Sequence, residues 1–399
     1  MLEPLLAADT GYAGPRAQCQ AGHQAGFVSY RDKTVDTVVG PVTLPRAWYH
    51  CKACGHGFAP RDARLRIAGT TMSPGLAKMT DRAAAALPFA AAARLTGELA
   101  GIAMTGERAR RRAEADGAAA AAVIEAEAAA GNVVPLPPHG PAPDMLYICV
   151  DGTGVPMVPA ETEGRDGKGG DGTATTREVK LCCCFTQTTT DDKGRAVRDP
   201  RSSSYLVTFA PAAQFGVLMA TEARRRDAGR IRQLVFLGDG AAWIWNLAAK
   251  HFPEATAIVD LYHAREHLHD LARLLEFMLG DGRQAWLEQR LADLDDGDIP
   301  AICAAARAFP LAGKKARDLD TALGYFEHNA HRMRYSDFRN LGMFIGSGAV
   351  EAGCKSIVAQ RCKLSGMRWT TPGAAGVLTL RCLEASDRWE HIPVGQPAA

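Results

Sequence analysis

The sequence predicts an α/β protein built around a mixed β-sheet. Three observations carry this. Short apolar runs rich in Val, Ile, Leu, Phe and Cys recur after residue 145, each the length of a buried strand. Segments of helical period separate the later runs but not the earlier ones. Two of the runs, "YICVDGTG" and "VFLGDGA", deliver an aspartate followed at once by glycine, the place where open α/β sheets gather ligand groups.

Before that region lie two smaller ones. Residues 15–62 hold Cys19, His23, Cys51 and Cys54 among three short strand-like stretches, "FVSY", "TVVGPVTL" and "RAWYHC". "CKACGHGF" has the shape of a zinc knuckle, and Cys19 with His23 would complete a Cys₃His set in a zinc-ribbon-like module. His50 or His56 could substitute, and a hairpin held by ordinary packing is the alternative. Residues 73–130 are Ala-rich and helical. Ser73-Pro74 supplies a cap and a first-turn proline, and the break at 101–105 before "GERARRRAEA" fits a helix-turn-helix or a plain helical hairpin. "GNVVPLPPHGPAPD", residues 131–144, is a Pro-rich linker.

The third region, 145–390, begins with strands at 146–151, 177–190 and 203–210. A helix opened by Pro211, a strand at 233–239, a helix stopped by Pro253 and a strand ending at Asp260 follow. Residues 264–340 are almost wholly helical, and "IGSGAVEAGCK" then runs from a glycine loop into a last helix. Three meandering strands followed by alternating helices and strands is the wiring of a ribonuclease-H-like core, here with an all-α insertion.

Composition bounds the rest. The chain has 399 residues, 47% hydrophobic, 23% charged, with net charge +2, ordinary for a globular protein of two or three domains. Bulk charge neither requires nor excludes nucleic acid. No apolar run reaches the roughly 18 residues of a membrane span, and the N-terminus is too acidic for a secretory signal. Eleven cysteines, clustered as "CKAC" and "CCC", suit thiols or metal in a reducing cytoplasm rather than a disulfide scaffold.

If the first and fourth strands are neighbours, Asp151 and Asp239 face each other. Two close carboxylates repel unless a proton or cation intervenes. All-oxygen ligation suits Mg²⁺ (or Mn²⁺). Glu351, early in the helix after "GSG", is the candidate third acid. Two metals between such acids would activate an attacking oxygen and stabilise a leaving one in phosphodiester chemistry.

"YICVDGTGVPM", "FLGDGAAWIWNLAAKHFPEATAIVDLYHAREHL", "RYSDFRNLGMFIGSGAVEAGCK" and "RCKLSGMRW" together resemble the ISKra group of bacterial insertion-sequence transposases. The resemblance implies an Asp-Asp-Glu triad of Asp151, Asp239 and Glu351, with double-stranded element ends and target as partners and a dimer or larger oligomer on DNA. It also implies a role for Asp260 and His263, which resemble the Cys/Asp-x-x-His element of related transposases. The implied second CxxC is absent, since the chain has Cys19 and His23 there.

Local charge points the same way. Arg339, Lys355, Arg361, Lys363 and Arg368 crowd the segment around Glu351 and are expected to meet DNA phosphates. "RARRR" at 108–112 could do likewise or merely solubilise a helix. Trp243 and Trp245 are expected in the core, and Cys182, Cys183 and Cys184 act as small hydrophobes of a buried strand. Two other functions compete. An actin-like or sugar-kinase-like phosphotransferase would use "DGTG" and "GDGA" as phosphate loops, but would need neither a zinc module nor a late helical glutamate. A DNA-binding protein with a decayed core would tolerate the lost CxxC, yet all three acids are present.

Overall fold

The strands build two separate sheets, each inside its own compact unit. The computed structural model describes residues 9–131, 133–135, 143–167, 172–227 and 231–392. Most of the expected linker 131–144 and part of the glycine-rich loop 164–174 lie outside the described residues. One unit comprises residues 1–123 with 370–381 and 388–399, the other 124–369 with 382–387. It is a mixed α/β protein, as its sequence predicts.

In the first unit β1 (Arg16–Gln18), β2 (Gln24–Thr37), β3 (Gly40–Cys51) and β4 (His56–Phe58) form an antiparallel sheet in chain order. The three short strands expected from the sequence are one long hairpin. Its pairs run from Thr37 with Gly40 to Gly26 with His50. β3 carries Pro41 and Pro45, and β4 pairs only with Tyr49–Cys51. Over residues 41–45 β3 is therefore an edge, where a missing N–H costs no ladder bond. The short helix Pro60–Arg64 is tied to this hairpin through Asp62. Its Oδ2 accepts from Lys33 Nζ at 3.2 Å and Arg46 Nη1 at 2.5 Å.

Helices Pro74–Ala86, Phe89–Ala100 and Gly106–Ala130 follow. Ser73 Oγ caps the first by accepting from Leu76 N. The second closes on Gly101 in the left-handed region, φ +62°. Small residues set the spacing: Ala84, Ala92, Ala109 and Ala113 are all fully buried. Gly117 packs so closely on Gly376 that a Cβ would lie 2.1 Å from its carbonyl oxygen. Residues 370–381, expected from the sequence to belong with 145–390, are thus packed within the first unit.

The second unit holds β5 (Met145–Pro156), β6 (Thr176–Gln187), a small hairpin of β7 (Thr189–Thr190) and β8 (Ala196–Val197), then β9 (Ser204–Thr208), β10 (Gln233–Gly238) and β11 (Thr256–Val259). Its main sheet has the order β11-β10-β5-β6-β9. β5, β6 and β9 are antiparallel, whereas β10 and β11 run parallel to β5. The core is apolar on both faces: Ile148, Cys149, Leu181, Cys182, Cys183, Cys184, Phe236 and Ile258 are all fully buried.

β5 does not stop at Asp151. Its pairing with β10 ends at Cys149, but its ladder with β6 continues to Pro156. Burial changes at that point, from buried at Leu146–Val150 to half-exposed at Asp151–Gly154. The aspartate thus lies where the strand loses its parallel partner, not where the strand ends.

Helices Ala212–Asp227 and Ala242–His251 separate the later strands. The helical block runs Leu261–Leu274, Glu276–Leu279, Arg283–Asp296, Ile299–Arg307, Gly313–Asn329 and Tyr335–Asn340. Gly297, at φ +81°, ends one helix, and Asp298 caps the next by accepting from Ala301 N at 3.0 Å. The last helix of this unit is Gly348–Gly353, a π-type stretch Cys354–Ala359 and Gln360–Cys362.

Candidate metal centres

Three aspartates lie just past the parallel ladder of the main sheet. Leu237 pairs with Cys149, and Gly238 with Val259. Asp151, Asp239 and Asp260 each follow within two residues of these last pairs, on three neighbouring strands. Each has a different local setting.

Asp239 forms a turn. Its Oδ1 accepts from Ala241 N at 2.8 Å at the start of helix Ala242–His251. Gly240 has φ +100°, which favours glycine, and a Cβ there would lie 2.6 Å from the Tyr325 ring. Tyr325, from the helical block, donates its hydroxyl to the Asp239 carbonyl at 3.2 Å. His267 stacks on Tyr325 with ring centroids 3.7 Å apart. Burial pushes the His267 pKa down, so its neutral form is favoured, although nearby Asp270 and Asp239 pull the other way. Burial pushes the Tyr325 phenol up, helped by the charge of Asp239.

Asp260 is fully buried. It caps helix Leu261–Leu274, with Oδ1 accepting from His263 N at 2.8 Å. Its Oδ2 accepts from Ser347 N. Leu261 N also donates to Ile345 O at 3.0 Å. The glycine loop before Glu351 is therefore hydrogen-bonded to this helix start, and Gly346 leaves room for the Tyr262 ring, 3.1 Å from where a Cβ would be. That docking brings Glu351 to the same place. One donor atom each from Asp260, His263 and Glu351 lies within 4.8 Å of the others, a set that could bind a metal ion. Ser347 Oγ donates to Glu351 Oε1 at 3.4 Å, and Lys355 Nζ stands 3.8 Å from Oε2.

Asp151 and Asp239 are not part of that donor cluster. Asp151 is half-buried, and its Oδ1 accepts from Gly152 N at 2.7 Å. The Cys354 thiol, three residues beyond Glu351, is held up in pKa by burial first and then by the charge and hydrogen bond of Asp151. The helix can press this close because Gly353 has no side chain: a Cβ would lie 2.9 Å from both Leu181 and Tyr205.

Two tight turns make the second centre. Cys19 and His23 bracket the β1–β2 turn, where Cys19 N donates to His23 O at 2.9 Å. Cys51 and Cys54 bracket the β3–β4 turn, where Gly55 N donates to Cys51 O at 2.9 Å. The four donors lie within 4.8 Å of one another and could bind zinc. Cys54 Sγ is 3.0 Å from His23 Nδ1 and 3.7 Å from Cys19 Sγ. Burial opposes the Cys19 thiolate, but hydrogen bonds from the Ala21 and His23 backbone and from Cys51 and Cys54 together lower its pKa. Cys54 is pushed up to about 11, chiefly by its contact with Cys51. A divalent cation bound by the three sulfurs would favour their thiolate forms. His50 and His56, the alternatives from sequence, are outside the set.

The basic residues divide. Lys355, Lys363 and Arg368 are exposed, and Lys363 Nζ donates to Thr153 Oγ1 at 2.6 Å. Arg339 is occupied by Asp295 at 3.2 Å. Arg361 corrects the expectation of a phosphate contact: it is fully buried, with its guanidinium 4.9 Å from the Trp369 ring centroid. In "RARRR" every arginine has an acidic partner: Arg108 has Asp36, Arg110 and Arg111 have Glu107, and Arg112 has Asp116. Trp245 is in the core against Phe236, as expected, while Trp243 is half-buried beside Phe215 and Lys180.

No protein-family model matches the sequence, and no curated protein matches it. Among solved structures, the chain has a distant likeness to a Drosophila P element transposase strand transfer complex. Sequence identity is 9% and the TM-score 0.26, over 78% of this chain and 80% of the other.

Proposed function

We propose that the chain is a metal-dependent DNA transposase that cuts and joins phosphodiester bonds at the ends of an insertion sequence. The observation that carries this reading is the convergence of Asp260, His263 and Glu351, whose donor atoms lie within 4.8 Å of one another; Asp151 and Asp239 follow the parallel ladder on the next two strands of the sheet. The sheet order and strand directions support a ribonuclease-H-like core. The stretches that resemble the ISKra transposases hold these same acids.

Asp151, Asp239 and Glu351 are the proposed catalytic acids, with Asp260 and His263 beside them. A bound divalent cation would supply Lewis acidity and a nucleophilic water or hydroxyl at neutral pH. The chain's own part is to hold carboxylates in place. The Asp239 turn is fixed by Tyr325 and Gly240, and Glu351 is fixed by the loop hydrogen-bonded to the start of helix Leu261–Leu274. Lys355, Lys363 and Arg368 follow Glu351 in the chain, are exposed, and would meet the DNA backbone. The Cys/His module would bind zinc as a structural ion, and with the helices after it would recognise the element ends.

The test is direct. Purified protein is incubated with labelled duplexes carrying candidate element ends and Mn²⁺ or Mg²⁺. Cleavage leaving a 3′-hydroxyl, lost on adding a chelator, supports the reading, whereas intact DNA under every cation condition removes it.

A further inference from the structure

We propose that the ion held by Asp260, His263 and Glu351 is a first-row transition metal bound through the His263 imidazole, and that the site selects such an ion over Mg²⁺. This rests on the reading above, with which it shares Glu351, but its observations concern only the surroundings of Asp260, His263 and Glu351.

The first observation is the chemistry of the donors. Two carboxylates and one imidazole nitrogen converge within 4.8 Å. Mg²⁺ favours an all-oxygen shell and gives up its waters reluctantly. An imidazole donor instead favours the later first-row ions, in the order Mn²⁺ below Fe²⁺ below Co²⁺.

The second observation is the charge balance around Asp260. Its carboxylate is fully buried, and its contacts are two backbone N–H donors, from His263 and Ser347. No cationic side chain pairs with it among the described residues. Those two N–H groups and the start of helix Leu261–Leu274 stabilise part of its charge, and a cation between Asp260 and Glu351 would offset the rest. Lys355 does not provide it, because its ammonium reaches only Glu351, at 3.8 Å, from an 80% exposed position. The start of helix Leu261–Leu274 partly opposes a cation, but the effect of a helix end is small beside two carboxylates.

The third observation concerns the ring itself. His263 Nδ1 lies 3.4 Å from Glu266 Oε2, one helical turn on. A carboxylate beside one ring nitrogen helps to orient a histidine whose other nitrogen meets a metal, as outer-shell partners of metal-bound histidines do. Only a third of the His263 side chain is exposed, which leaves it partly shielded yet reachable by an ion from solvent.

The experiment uses the full chain with zinc loaded at its cysteines, without DNA, and Mn²⁺ as the probe. Pulsed electron paramagnetic resonance of bound Mn²⁺ should show coupling to a ¹⁴N nucleus. His263→Ala should abolish that coupling and reduce the preference for Mn²⁺ over Mg²⁺ in competition titrations by roughly tenfold or more. Mn²⁺ bound without nitrogen coupling in the wild type would overturn the proposal, as would no Mn²⁺ binding at all or an unchanged preference in His263→Ala. His263→Gln, of closer size, repeats the comparison should the alanine variant fold poorly. Because no DNA is present, failure here leaves the transposase reading open, and failure of strand cleavage leaves this one open.

Discussion

Replacing Asp81 with asparagine should stabilise the protein at pH 8 and should do so less and less as the pH falls. Asp81 lies in helix Pro74–Ala86, is fully buried, and neither carboxyl oxygen has a hydrogen-bond partner. Burial pushes its pKa from the ordinary 3.8 up to about 7, opposed only by the charge of Arg112. Arg112 is itself committed to Asp116, with Nε 2.7 Å from Oδ2. The native state therefore prefers the protonated acid. That preference contributes fully below the unfolded pKa, near 3.8, and is lost as pH rises through the folded value of about 7. A gap of roughly three units at about 1.4 kcal/mol each sets an upper bound of about 4 kcal/mol. An asparagine side chain has the same shape and does not titrate. Guanidinium unfolding of both proteins, from about pH 5.5 to about 8.5, gives their stability difference. The variant's advantage should grow by up to about 1.4 kcal/mol per unit as pH rises toward 7, then level off. Taking the difference cancels every titration the two share. An advantage that does not change with pH, or a variant less stable at pH 8, would refute the account of Asp81 as a buried acid forced to hold its proton.

Three other outcomes follow from the geometry. Freshly purified protein should contain about one zinc per chain, and Cys51→Ser should release it and expose the β1–β4 sheet to proteolysis while leaving β5–β11 protected; elemental analysis and limited proteolysis measure both. Tyr325→Phe removes the hydrogen bond to the Asp239 carbonyl and should cost about 0.5–1.5 kcal/mol. Gly240→Ala should cost more, since its φ is +100° and its Cβ would strike the Tyr325 ring; thermal melts rank the two, and equal melting temperatures would contradict the contact. Lys363→Ala and Lys355→Ala should each lower the salt slope of DNA binding by about one unit. Arg361→Ala should instead lower thermal stability, because Arg361 is buried against Trp369.

Local patterns were legible in the sequence. The four Cys/His donors stand out because each pair closes its own tight turn, so spacing alone brings Cys19 near His23 and Cys51 near Cys54. Asp151 and Asp239 stand out in the sequence because each follows an apolar run and precedes a glycine, and the structure puts each just past its parallel ladder. Features set by distant chain were not legible. Tyr325 reaches Asp239 from 86 residues away, and nothing in its own neighbourhood marks it. The one long hairpin looked like three short strands, because whether β3 is an edge at Pro41 and Pro45 depends on where β4 stops. Arg361 looked like one more surface cation because its cover, Trp369, comes after a turn. His267 could have been found: it lies one helical turn past His263, on the same face.

The most direct test of the central claim is strand cleavage by wild type and three single variants, Asp151→Asn, Asp239→Asn and Glu351→Gln, on the same labelled duplex with Mn²⁺. The account predicts cleavage by the wild type and none by any variant, with DNA binding and thermal stability retained in all four. Cleavage at near wild-type rate by any one variant would contradict the assignment of that acid, and an inactive wild type on every candidate end would contradict the claim itself.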